Sequence, residues 1–276
     1  MMLSDSDYET VRRLVYEHSR IDLGDNKKEL VTARLEKRLR ATGIHTLADY
    51  VRMVNTPQGD DELVHLIDAI STNHTFFFRE IKHFEFMTNH VLPEAIARGG
   101  ETYEKEFRLW SAASSSGEEA YSIAIQLHDH FSRVPGWNWQ IQATDISTKI
   151  LEKGKKAIYP KERLREVRPE WLRRYFQMGM NQWDGYFLVK EELRARIAWH
   201  HVNLLQPQYP FTKLFHCIWC RNVMIYFDRP TQEQLVQKLS ANLVPGGYLM
   251  IGHSESLTGI KHGYKLVKPA IYQKPA

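Results

Sequence analysis

The sequence predicts an all-helical domain followed by an α/β domain built on a parallel sheet. Three observations predict it. Over the first ~85 residues, apolar side chains recur with the 3.6-residue period of a helix. Beyond about residue 90, short apolar runs alternate with helical stretches, the signature of parallel strands joined by crossover helices. The chain is 276 residues long and 43% hydrophobic, enough to bury a core in each of one or two domains.

The elements follow in order. Tyr8, Val11, Leu14 and Val15 share one face of a first helix, with Ser4 or Ser6 as N-cap. Val31, Leu35 and Leu39 stripe a second, which Gly43 can close. Leu47, Tyr50, Val51 and Val54 mark a third behind Thr46, and Leu63, Leu66, Ile67 and Ile70 a fourth. Strands are expected at 107–112, 140–144, 197–202, 215–220 and 248–252, with a terminal antiparallel pair at 264–267 and 270–273. Around 159–195 the alternation is interrupted. Two β-prone runs, 175–179 and 186–190, flank a turn ending in Asp184-Gly185, which predicts a small antiparallel insertion. The expected division is therefore 1–85 and 86–276, with the insertion inside the second part.

Composition excludes several classes. No apolar run approaches 18 residues, so no spanning helix is expected. The polar, acidic start and the two cysteines predict a cytoplasmic, reducing address. A net charge of +4 does not by itself call for nucleic acid or an anionic membrane.

Four segments can carry chemistry. In residues 109–122 a strand runs into Ser111-Ala112-Ala113-Ser114-Ser115-Ser116-Gly117 and then a helix. Small residues let a ligand approach the backbone, and a helix start offers free N–H groups. The glutamates Glu118 and Glu119 would repel a pyrophosphate and suit a cationic ligand, such as the ammonium and sulfonium of S-adenosylmethionine. Asp145, at the end of the second strand, stands where such folds hold a ribose diol. Residues 71–80 set three aromatics, Phe76-Phe77-Phe78, beside Arg79 at the expected seam between domains, where an Arg can clamp a carboxylate. Residues 220–228 follow the fourth strand, placing Arg221, Asn222 and Tyr226 at the ligand crevice. Two other signals are discounted. Cys217 and Cys220 are three apart in a strand and point to opposite faces, and no second pair completes a zinc site, so no metal is expected. Residues 252–256 miss a hydrolase elbow because Ser256 replaces its last Gly.

Taken together, these segments resemble the chemotaxis receptor methyltransferases, the CheR family. Residues 71–80 are similar to that family's TTNxTxFFRE segment and 110–122 to its WSAASTGEEPYS segment, with Ala120 where Pro is usual. Residues 143–146, 202–205, 220–228 and 252–255 match in order, and the similarity runs from about Tyr8 to Gln273. The resemblance implies a Rossmann-like S-adenosylmethionine domain with a β-subdomain, preceded by an all-α domain. It implies methyl transfer to glutamate side chains on the cytoplasmic helical bundle of chemoreceptors, with S-adenosylhomocysteine as product. Carried over by position, it implies cofactor contacts from Asn73, Thr75, Arg79, Glu118 or Glu119, Asp145, Asn203, Leu204, Arg221 and Asn222. Arg79 and Tyr226 would sit nearest the transferred methyl. Ser71, His74, Phe76 and Ala120 depart from the family pattern and touch only local packing.

Charge patterning adds a partner. Residues 27–40 carry +4 and 149–174 carry +6, leaving −6 elsewhere. Arg34, Lys37 and Arg38 flank the apolar stripe of the second helix and are expected to dock an acidic receptor helix, the role of this domain in the family. The β-subdomain is a candidate grip for a receptor C-terminal peptide. Two alternatives share the sequence. A nucleic-acid or small-molecule methyltransferase has the same fold, but Arg221-Asn222-Val223 stands where amino-methylating enzymes carry Asn/Asp-Pro-Pro-Tyr. A non-catalytic cofactor sensor would not need Arg79 and Tyr226.

Overall fold

The computed structural model describes residues 3–71, 74–102 and 105–276. The chain divides into two compact units, Met1–Thr72 with Ile225–Gln232, and Asn73–Met224 with Glu233–Ala276. The expected boundary at residue 85 thus lies too late, for a packing reason. Phe77, Phe78 and Phe84 are buried in the second unit's core, where Phe78 packs on Trp171 and Phe84 meets Trp219.

The first unit holds α1 (Asp5–Ser19), α2 (Lys28–Thr42), α3 (Leu47–Val54) and α4 (Asp60–Ile70). Its ends are set by local chemistry. The side chains of Ser4 and Thr46 accept the N–H groups of Asp7 and Asp49, and Gly43 closes α2 at φ 73°. The apolar stripes meet as predicted: Val11, Val15, Val31, Leu35, Tyr50 and Leu66 are all buried. Two arginines of α2 are consumed in holding it. Arg34 donates to the carbonyls of Ala69 (3.1 Å), Ile70 and Ser71 (3.2 Å), closing the end of α4. Arg38 grips Glu62 of α4 through Nε and Nη2, both at 2.8 Å, and the Tyr50 hydroxyl donates to the same carboxylate at 2.6 Å. The later segment joins through Tyr16, whose hydroxyl donates to Asp228 at 2.6 Å, and through the Asp22 N–H, which donates to the Tyr226 carbonyl at 2.8 Å.

The second unit opens with α5 (Ile81–Phe86), a π-turn at Met87–Val91 and α6 (Leu92–Thr102). Then come β1 (Glu106–Ala112), α7 (Glu118–Phe131), β2 (Asn138–Asp145) and α8 (Thr148–Lys156). An excursion follows: β3 (Ile158–Pro160), α9 (Pro169–Tyr175), β4 (Phe176–Met178), β5 (Tyr186–Val189) and α10 (Glu191–Arg194). The chain returns through β6 (Ile197–His201) and β7 (Phe215–Cys220) to α11 (Arg229–Ala241), β8 (Leu243–Ile251), β9 (Lys265–Lys268) and β10 (Ile271–Gln273). Among the described residues the main sheet has seven strands in the order β6-β2-β1-β7-β8-β10-β9. The first five run parallel, and β10 runs antiparallel to both of its neighbours, β8 and β9. A separate antiparallel sheet, β3-β5-β4, forms the insertion. Its third strand, β3, carries no alternation long enough to be seen in the sequence. The sheet grows from β1 outward to β2 and β6, then restarts on the other side of β1 with β7 and β8. That reversal puts the switch point between the ends of β1 and β7, where such sheets bind ligands.

Arg38→Ala should cost about 2 kcal/mol in urea unfolding, because it strands the partly buried Glu62 carboxylate. Burial would raise Glu62, but the hydrogen bonds and charge of Arg38, with Tyr50, outweigh it and hold the carboxyl below its usual 4.5. Stability from the pair is therefore complete above that usual value and lost as pH falls through the lowered native one. An Arg38→Ala penalty equal at pH 7 and pH 3 would contradict this.

Candidate functional site

The ends of the parallel strands lie level, and their loops make one site. Ala112 of β1 sits beside Thr144 of β2 and Cys220 of β7, and Cys220 sits beside Ile251 of β8. The loop after β1 turns sharply, with Ala113, Ser115 and Gly117 at φ 63°, 50° and 94°. Asp145 holds it there: its carboxylate accepts the N–H groups of Ser115 at 2.8 Å and Ser147 at 3.0 Å. The Ser114 hydroxyl in the same loop is buried without a hydrogen-bond partner among the described residues.

Gly117 is required, though not by a ligand. A Cβ there would stand 2.8 Å from both the Trp199 ring and the Tyr159 hydroxyl, and one on Gly154 would stand 2.6 Å from the same ring. The small residues at this point admit Trp199.

At the centre is Arg221, whose side chain is almost fully buried. It donates to Glu119 at 2.9 Å, to Glu80 at 2.9 and 3.3 Å, and to the Arg79 carbonyl at 2.5 Å, and it lies over the Trp219 ring. Glu119 also accepts from Ser111 at 2.7 Å. This cluster fixes the backbone of residues 78–80, where Phe78 and Glu80 both hold left-handed φ angles of 55° and 59°. The Phe78 N–H donates to Ser122 of α7 at 2.9 Å. Burial raises the carboxyls of Glu118 and Glu119. Burial would also raise Glu80, but the Arg221 charge and hydrogen bonds outweigh it and hold Glu80 below the usual range.

The predicted residues divide on this geometry. Arg221 and Glu119 are paired with one another, and Glu118 and Glu119 both remain candidate ligands. Glu118 is buried, accepts from the Ser116 hydroxyl at 2.6 Å and lies 3.8 Å from Arg163. Thr75 is buried and its carbonyl accepts from Arg163 at 2.8 Å. Arg79 is half-buried, with Nη1 on the His74 carbonyl at 2.8 Å and its guanidinium over Phe76. Asn203 sits just past β6, its side chain accepting the Leu205 N–H at 2.9 Å, and the Leu204 carbonyl accepts from Tyr209. Asn222 follows β7 at φ 57°. Asn73 lies outside the described residues. Tyr226 falls in the first unit, under the Lys27 ammonium 5.6 Å away, so the two catalytic candidates belong to different units.

The predicted docking residues differ in what they already hold. Arg34 and Arg38 are not free on a solvated face; they cap α4 and grip Glu62, and of the three residues only Lys37 is exposed. The aromatic run likewise serves the second unit's interior, with Phe77 5.0 Å from Tyr159, while Phe76 is exposed.

Sequence reasoning assigned no role to Glu80 or Glu255. Each lies inside a motif, and a charged residue at the end of a buried segment is the signal that could have found them. Glu80, His83 and His253 form the one acid–histidine group among the described residues whose ligand atoms lie close enough for a metal. The guanidinium of Arg221 already supplies the cation there, and the Asn222 amide and His253 N–H take further positions on Glu80. Cys217 and Cys220 are both buried, and burial pushes both thiols up.

The model of the CheR methyltransferase SAM binding domain matches residues 73–272, and that of the CheR methyltransferase all-alpha domain matches residues 6–71. A chemotaxis protein methyltransferase of Salmonella typhimurium is 39% identical over 99% of this chain and 91% of its own length. That of Borreliella burgdorferi is 39% identical over 95% and 92%, and that of Escherichia coli 37% over 99% and 92%.

Arg221→Ala should cost about 3 kcal/mol in urea unfolding, since it leaves two largely buried carboxylates without their cation. Adding Glu119→Gln should recover part of that loss. A single variant as stable as the parent would remove Arg221 from the frame.

Proposed function

The chain belongs to the CheR methyltransferase family and uses S-adenosylmethionine, and we propose that it esterifies glutamate side chains on the cytoplasmic helical bundle of a chemoreceptor. The near full-length likeness to chemotaxis protein methyltransferases carries this reading.

The residues present fit the cofactor. An open left-handed loop at the sheet's switch point, the orphaned Ser114 hydroxyl and the carboxylates of Glu118 and Asp145 suit a ligand with a ribose and a cationic end. When bound, that ligand supplies a methyl group on a sulfonium. A glutamate side chain, with an ordinary pKa near ~4.3, is already the carboxylate nucleophile at neutral pH. The chain therefore needs no general base. Charge is lost on the way to the ester, so the protein's work is to orient the carboxylate and exclude water. Arg79 is assigned the orienting role.

Two finer assignments concern the partner. In the insertion, β4 is an edge strand, and Met178, Met180, Trp183 and Tyr186 near it are exposed. An extended receptor C-terminal peptide could add there as a further strand, with these side chains as its pockets. With Arg34 and Arg38 bonded internally, the exposed Lys37 and Arg40 are what the second helix still offers an acidic receptor helix.

Tritiated methyl transfer to receptor-containing membranes, with RNA or DNA as competitor, tests the substrate. Label should enter protein as a base-labile ester and be indifferent to nucleic acid; label in the nucleic acid would overturn the reading. Arg79→Ala should lower turnover about 100-fold at saturating cofactor, and parental turnover would remove Arg79 from the chemistry. Capture of the enzyme by a receptor C-terminal pentapeptide checks the insertion's assignment.

A further inference from the structure

Glu255 lies in the loop after β8, outside every role assigned above. Its Oε2 accepts two backbone N–H groups, from Gly252 at 2.6 Å and from Asn222 at 2.8 Å. The second bond crosses from the loop after β8 to the loop after β7. Asn222 there holds φ 57°, a left-handed backbone that Asn adopts more readily than most residues but that still needs support. Its side-chain amide reaches Glu80 at 3.4 Å. Gly252 closes the arrangement from the other side. A Cβ on it would collide with the Asn222 Nδ2 and stand 2.9 Å from the Glu255 carboxylate. Asn222 is thus held in backbone by one neighbour and bounded in side chain by the absence of another's Cβ.

We propose that Glu255 is a positioning residue for the methyl transfer: it fixes the left-handed backbone of Asn222 and so holds that side chain, with its amide N–H on Glu80, in place to meet the cofactor. The inference rests on Asn222 being a cofactor contact. Glu255 itself touches no reacting atom.

S-adenosylhomocysteine titrated calorimetrically into the full-length chain tests it. Glu255→Met removes the acceptor at similar size and should weaken binding about tenfold. Glu255→Gln keeps one oxygen for the two N–H groups and should stay within about threefold of the parent. Asn222→Ala should weaken binding to a similar degree, and the Asn222→Ala/Glu255→Met double variant should bind no worse than Asn222→Ala alone, because both act through one side chain. Gly252→Ala keeps both side chains but crowds the Asn222 amide and, at 2.9 Å, the Glu255 carboxylate; it should weaken binding and likewise add nothing to Asn222→Ala. It carries the test if Glu255→Met does not fold. Parental binding by Asn222→Ala would overturn the assignment of Asn222 and the inference with it. Weakened binding by Asn222→Ala with parental binding by Glu255→Met, or effects that multiply in the double variant, would overturn the role of Glu255 alone.

Discussion

A single guanidinium sits between two carboxylates at the end of the central strand, and most of the second unit's ligand face is referenced to it. Arg221 joins the end of β7 to the first turn of α7 through Glu119 and to the entry of α5 through Glu80. The ends of three elements that are far apart in sequence thereby share one charged node. An ion cluster removed from water is weak as a source of net stability, since desolvation offsets much of its attraction. Its directional demands are strong. Five N–H donors in a rigid plane accept few arrangements of partners, so the node specifies one relative placement of these segments.

The left-handed residues near the site follow from that demand. Phe78 and Glu80 take backbone angles that ordinary side chains avoid, and each is held by a specific bond: the Phe78 N–H by Ser122, and the Glu80 carboxylate by Arg221. The packing beneath is aromatic and anchors Phe77 and Phe78 against Tyr159, Phe176 and Trp171. Strain of this kind persists only where the surroundings overdetermine it. The backbone of Arg79 is the beneficiary, because it lies between two fixed neighbours.

Much of the fold was legible in the sequence. Helical stripes such as Val31 with Leu35, caps such as Ser4 and Thr46, and the strand at 215–220 are local signals that packing did not override. The domain boundary was less so. Residues 74–85 carry apolar side chains compatible with either unit, and only the three-dimensional partners of Phe78 and Phe84 decide between them. Strand β3 is three residues long and pairs with β5, so its identity lies in its partner and not in its own pattern. Of the candidate site, the motifs located the right loops, because strand ends are marked by where apolar runs stop. Arg34, Arg38, Arg221 and Glu119 were read as available charges, and a linear sequence does not reveal that a charge is already paired by a residue 24 or 102 positions away.

The two cysteines give the central strand a further property. Both thiols are buried within β7, and both are shifted toward the protonated, unreactive form. Oxidants and alkylating reagents reach them only when the sheet itself opens. The speed with which a thiol reagent labels this chain is therefore a clock for opening of the strand that leads into Arg221, read without introducing a residue.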